Sequence, residues 1–378
     1  MMRKIQKIGL FFVVFIALFF MVTLVVSAEE AAFEEELFKR QLQQSGAGEI
    51  DSFLPADTAK ILEDLGINPE NPETLFSFDG KGIVSVVFSF LTDGISAPLK
   101  TALSIIGILL IFASFEGVLE QNQNNMSIFV CFVASIVATQ PIYSLMESVK
   151  EAIQSLSTFM LSLVPVYTGI MLSLGKTMAS SGFSTLLLGA SEVIAYLVSY
   201  LFVPISGAVM CLAVCGGISP VLGILRLSEW IKKCSTWAMG IATTIFLGIL
   251  SLQNTFSSAA DGLGIRASKA MLSSTIPIMG PAIAETISTA RGCLNILRSG
   301  VGIYAVIAIG ILALPVITEL ILWRFSMWVS SAVAEMFGIK QVELLLRSVD
   351  FCLSVLLAAV CFTALLFVIA LAMTFSGG

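Results

Sequence analysis

Histidine is missing from all 378 residues of this chain, and with it goes the side chain that most often moves protons near neutral pH and most often ligates metals. Charge is scarce too. Charged residues make up 12% of the sequence and hydrophobic ones 57%, with a mean hydropathy of +0.97, where an average soluble domain carries roughly 25% charged residues. Cysteine supplies no framework: the seven are scattered through apolar runs. Cys211 and Cys215 share a helix face, but no third or fourth ligand accompanies them, so they read as small buried hydrophobes rather than a metal pair. Gly175-Lys176-Thr177 lacks the upstream glycine of a phosphate loop, the nearest being Gly169, and no nucleophile elbow or dinucleotide turn exists. These absences argue against an enzyme and against a bound cofactor or metal.

Long hydrophobic runs fill the space instead, and they define an all-α polytopic membrane protein. The formal charge of −6 is local. Glu29 to Lys81 holds 13 acids and 4 bases, while Gly82 onward holds 13 of each, so the acidity belongs to one solvated segment and implies no nucleic-acid partner.

Residues 1–28 read as a signal peptide. Arg3, Lys4 and Lys7 precede the apolar run Ile8 to Val26, and Val26-Ser27-Ala28 offers a cleavage site; an uncleaved anchor is the alternative. Residues 29–82 form an exported acidic segment with two amphipathic helical stripes, one of them Ile61, Leu62, Leu65 and Ile67. Residues 83–146 make a first transmembrane hairpin around the polar turn Glu120 to Asn125.

The remainder reads as a duplication, residues 147–256 and 257–378. Pro165 and Pro277, Pro204 and Pro315, and Glu229 and Glu343 recur 112, 111 and 114 residues apart. Each half would hold a proline-broken helix, an apolar hairpin bent at a proline, a basic amphipathic segment and a final span. The total comes to about eight to ten spans, the lower figure if Pro204 and Pro315 are not reversals. With four crossings per half, Lys176, Arg226, Lys232, Lys233, Arg291, Arg298, Lys340 and Arg347 fall inside, so the repeats are parallel rather than inverted.

Thr244 to Glu285 is the stretch that draws the eye. The apolar run Ile245 to Leu252 gives way to Gln253, Asp261 and Arg266, and a second run meets Pro277, Gly280 and Pro281 before Glu285. Irregular backbone at membrane depth survives only when buried in protein or lining a watery cavity. Broken helices near Pro165 and Pro277-Pro281 are therefore candidate pathway elements, and a plain proline kink in a packed helix is the competing reading. Glu192 and Glu285 lie deep in apolar surroundings, where ionisable groups face a cavity, a pathway or each other. Glu319 and Arg324, five apart, are poorly aligned to pair on one helix, and Arg324 also has a snorkelling reading. Small residues at Gly207, Ala208, Gly216, Gly300, Gly302 and Ala305 suit close helix contact, either inside one chain or along a homo-oligomer seam.

Phe246-Leu-Gly-Ile-Leu-Ser-Leu-Gln253, followed by Asp261-Gly262, Arg266, Lys269, Ile276-Pro277 and Gly280, with Ala313-Leu-Pro315 further on, resembles the stage III sporulation protein AE family. The resemblance implies a multispanning subunit of the complex that joins mother cell and forespore, sitting in the mother-cell membrane with its amino-terminal segment extracytoplasmic. It implies a permease- or channel-like role in forespore development, beside other membrane subunits, ring-forming proteins and, indirectly, a secretion-type ATPase. A structural assembly hub without a pore and a stand-alone secondary transporter are the alternatives. The family supplies no catalytic residues to carry over.

Overall fold

The computed structural model describes residue 50, residues 53–67, 81–116, 123–173 and 177–218, scattered helical positions between 227 and 252, and residues 280–376, with the side chains of 280–299 outside the description. Among the described residues there is no strand, as the absence of alternating patterns requires. The helices are α1 (Ala56–Asp64), α2 (Lys81–Gly94), α3 (Ser96–Glu116), α4 (Gln123–Ser173), α5 (Thr177–Leu197), α6 (Val203–Ile218), α7 (Gly280–Met336) and α8 (Lys340–Ser376). A π-helical segment, Val198–Phe202, joins α5 to α6. Four of the described helices are long and apolar enough to cross a membrane: α3, α4, α7 and α8.

The central element is the α7–α8 hairpin. Its sharp turn follows from Gly338, whose φ of +72° only glycine adopts without strain. The Gly338 N–H donates to Glu335 O and the Ile339 N–H to Ala334 O, both at 3.1 Å, which caps α7 with two crossed bonds. Gly66, at φ +69°, ends α1 the same way, with Ile67 folded back onto Leu62. From Val301 to Ile309 every residue of α7 is buried, so the close helix approach that Gly302 and Ala305 allow lies in the interior of this chain. α8 packs on α7, α4 and α6, and α4 packs on α5, α7 and α3. The buried positions of α4, Leu145, Val149, Ile153, Leu156, Phe159 and Leu163, recur every three or four residues and present one stripe to the hairpin.

Proline shapes the helices without reversing them. Pro141 and Pro165 both lie inside α4, and Pro315 inside α7, so the break expected near Pro165 is a proline within a continuous helix rather than a gap in one. Proline removes one backbone bond and crowds the carbonyl four residues earlier; near Pro141 and Pro315, hydroxyl side chains bond other carbonyls of the same helices. Thr139 donates to Ser135 O, Ser144 to Pro141 O, and Thr318 to both Leu314 O and Pro315 O. The hairpin bends expected at Pro204 and Pro315 are therefore corrected. At Pro204 the chain passes through the π segment and continues as α6, and at Pro315 it runs straight on. Neither site has the polar turn that a reversal needs. Arg298 lies within α7, and Lys340 opens α8. Pro277 and Glu229, two of the duplication's landmarks, lie outside the described residues.

Candidate functional site

Four helices, α3, α6, α7 and α8, are tied together by polar contacts, and α2 and α4 pack against them beside those contacts. On α7 the Arg324 Nε donates to Asp350 Oδ1 of α8 at 2.9 Å, with the two side chains 12% and 33% exposed. Two residues on, Ser326 Oγ donates to Pro98 O of α3 at 2.7 Å. The Cys352 thiol donates to Ser206 O of α6 at 3.3 Å. Gly207 of α6 faces Met146 of α4, where an added Cβ would sit 3.8 Å from the methyl carbon. Gly94, at the end of α2, faces Leu322 so closely that a Cβ there would lie 3.1 Å from Leu322 Cδ1. These contacts form a girdle across the bundle.

Helix irregularities gather at the same girdle, for a reason legible in the residues. Pro98 crowds the carbonyl of Gly94, and the helix breaks at Ile95 between α2 and α3. Pro204 crowds the carbonyl of Tyr200, which lies inside the π-helical turn. Pro141 lies within two turns of Met146 on α4. π-helical turns recur at functional sites, and irregular backbone within a membrane bundle needs polar company. The girdle supplies it.

Most of the residues singled out from sequence are not assembled here. Gln253, Asp261, Arg266 and Pro277 lie outside the described residues. Gly280 and Pro281 occupy the first turn of α7 as described, where proline is tolerated because that N–H has no helical partner; Glu285 follows in the next turn. Pro165 is exposed on α4 and Glu192 exposed on α5. The register set by Ser180 Oγ donating to Thr168 O at 3.5 Å puts Pro165 and Glu192 roughly two and a half turns apart along the α4–α5 pair. Arg324 has a partner that sequence reasoning missed. Asp350 is 26 residues away, yet Gly338 lies near the midpoint between them, and a glycine-capped turn with arms of similar length was the available signal.

The cysteines divide. Cys131, Cys352 and Cys361 are buried, whereas Cys211, Cys215 and Cys234 are exposed, which corrects the expectation that Cys211 and Cys215 are buried hydrophobes. They share the outward face of α6 with Pro204 and Ala208. Among the described residues no cluster of three metal-ligating side chains exists. On the inner face of α4, the Ser157 and Thr168 hydroxyls have no hydrogen-bond partner among the described residues.

A bundle of apolar helices with a proline- and serine-marked polar girdle defines a polytopic α-helical membrane protein. The family model for stage III sporulation protein AE matches residues 72–378, and the chain belongs to that family. A similar protein is the stage III sporulation protein AE of Bacillus subtilis (strain 168), 23% identical over 312 residues, which cover 80% of this chain and 77% of the relative. No solved structure matches.

Proposed function

We propose that this chain is the multispanning membrane subunit of the sporulation complex that links mother cell and forespore, and that it forms the permease- or channel-like part of that complex. The reading rests on family membership that runs through the whole helical bundle, residues 72–378. The girdle and the two α4 hydroxyls without a partner among the described residues support it, because polar groups in the interior of a membrane bundle can line a route for polar cargo as well as join helices. In this reading the protein works in the mother-cell membrane, its partners are other membrane subunits and ring-forming proteins, and a secretion-type ATPase acts through them.

The test has two stages. Tagged protein is recovered in mild detergent from cells entering sporulation, and co-purifying proteins are identified by mass spectrometry. Ring-forming subunits and the ATPase in the eluate support the reading; the protein alone, in cells that contain those partners, favours a stand-alone transporter. Substitutions at Gln253, Arg266, Gly280 and Glu285 are then expected to abolish forespore development while the protein still accumulates. Tolerance there, with sensitivity on the packing faces, favours an assembly hub. One observation speaks for that second reading: the girdle is closed, with Ser206, Ser326 and Cys352 all buried.

A further inference from the structure

The outward face of α4 changes character along its length. Phe132 and Ile136 toward its start and Leu161 and Leu172 toward its end are large exposed hydrophobics, as suits a helix apolar enough to cross a membrane between Ile128 and Ser173. Between them the exposed residues are Gln140, Tyr143, Glu147, Lys150, Gln154 and Thr158, which cover about 27 Å at 1.5 Å per residue. The other three candidate spans are built differently. Among the described residues of α3, α7 and α8, the exposed charges stand toward one end of the span: Lys100, Glu335, and Lys340 with Arg347. On α4 the exposed charges Glu147, Lys150 and Glu151 occupy the centre.

These charges are also left open. Lys150 lies within a turn of both carboxylates, yet among the described residues it has no ion-pair partner, and Glu147 accepts a long bond of 3.3 Å from the Tyr143 hydroxyl. The α5–α6 arm adds to the face. Its register against α4 is fixed at two points, Ser180 Oγ on Thr168 O and Gly207 beside Met146, and between them Glu192, Tyr196 and Tyr200 lie roughly alongside the stretch from Lys150 to Thr158. All three are exposed, and the two tyrosine rings stack with centroids 4.7 Å apart. Lipid does not accommodate the charges, and water does not favour the phenylalanine, isoleucine and leucine at either end. A protein surface takes both, and tyrosine is enriched where proteins meet.

We propose, independently of any channel, that this face of α4 and α5 is covered by a second copy of the chain, the two related by a twofold axis along the membrane normal. Copies inserted in one orientation are related by rotation about that normal, so α4 meets its counterpart running parallel, with each residue level with itself. Such a contact is self-complementary only where opposite charges lie within a turn of one another. The α4 face meets that condition. Lys150 stands about 1.5 Å in height from the partner's Glu151 and about 4.5 Å from the partner's Glu147, and the twofold axis makes each pairing twice. Gln140, Gln154 and Thr158 likewise meet their counterparts, and amide and hydroxyl groups hydrogen-bond across membrane helices.

Native mass spectrometry of the full chain in mild detergent with added lipid, across a dilution series, tests this. The native chain is expected to be dimeric. Lys150→Glu, which leaves only acids at the centre of the face, should weaken self-association at least about tenfold. The inverted variant carrying Glu147→Lys, Lys150→Glu and Glu151→Lys should regain it, because inversion keeps every pair of opposite charges, and such a recovery separates lost complementarity from misfolding. A second reading uses a short bismaleimide on Tyr143→Cys, in a chain with its seven native cysteines replaced, which should link the two level positions. A native chain that stays monomeric, a dimer indifferent to Lys150→Glu, an inverted variant no more dimeric than Lys150→Glu, or a Tyr143→Cys chain that does not cross-link overturns it.

Discussion

The α3–α4 helices and the α7–α8 hairpin are built from similar apolar residues, yet the chain uses them oppositely. The most apolar windows of α7 and α8 are each 67% buried within the protein; those of α3 and α4 are 28% and 39% buried. Side-chain size tracks the difference. α7 carries Gly302, Ala305, Ala308, Gly310 and Ala313 through its apolar run, whereas the outward stripe of α4 is Phe129, Phe132 and Ile136. Small residues let backbones approach and gain dispersion contacts, which matters in a membrane, where burial away from water does not drive helices together. Hydrophobicity tells a helix to leave water. The size of its side chains decides whether it meets lipid or protein.

Matched substitutions would break that comparison at its strongest point. Phe367→Ala in α8, where the ring is fully buried, is expected to cost about 3–5 kcal/mol, while Phe129→Ala, 62% exposed, should stay within about 0.5 kcal/mol. Unfolding in graded denaturing detergent reads both, and equal effects would deny the α7–α8 hairpin its role as core. The polar girdle comes next in size. Asp350→Ala leaves Arg324 mostly buried without its partner and is expected to cost about 1–3 kcal/mol, a range reduced for the partial exposure of Asp350. The exchanged pair Arg324→Asp with Asp350→Arg should regain a measurable part of that loss in a double-mutant cycle.

A smaller effect is expected at the turn. Gly338→Ala forces a left-handed backbone on a residue with a Cβ and should cost about 1 kcal/mol, visible as a lower thermal midpoint of the purified protein, with no gain to be had from the open space around that position. Smallest of all, Arg347→Ala takes away a side chain, more than half exposed, that bonds Glu335, also more than half exposed, and Glu343, 15% exposed, and should shift stability by less than about 1 kcal/mol. A larger loss there would mean that the cluster is shielded from water.

The helical membrane class was legible from composition alone, and the amphipathic stripe of Ile61, Leu62, Leu65 and Ile67 from its spacing; the structure forms α1 on it, with Leu62 and Ile67 buried. Proline was the misleading signal. Its chemistry is local, so Pro204 and Pro315 announce a disturbed helix, but whether the chain then turns back depends on what packs against it. The Arg324–Asp350 pair was illegible for the opposite reason. It depends on a contact across 26 residues, and only the fold supplies the second helix. The stretch from Gln253 to Pro277 lies outside the described residues, so its reading as a pathway rests on its polar and proline-rich pattern.

The fully buried run from Val301 to Ile309 and its neighbour α8 are also among the last parts of this sequence to be synthesised. Translation is directional and slow, at roughly 5–20 residues per second, so α3 and α4 leave the ribosome many seconds before the α7–α8 hairpin that both pack against exists. During that interval the inner stripe of α4 has only lipid, other early helices or assisting proteins to shelter it. The bundle closes from its final hairpin inward, and assembly thus hinges on the arrival of its latest segment.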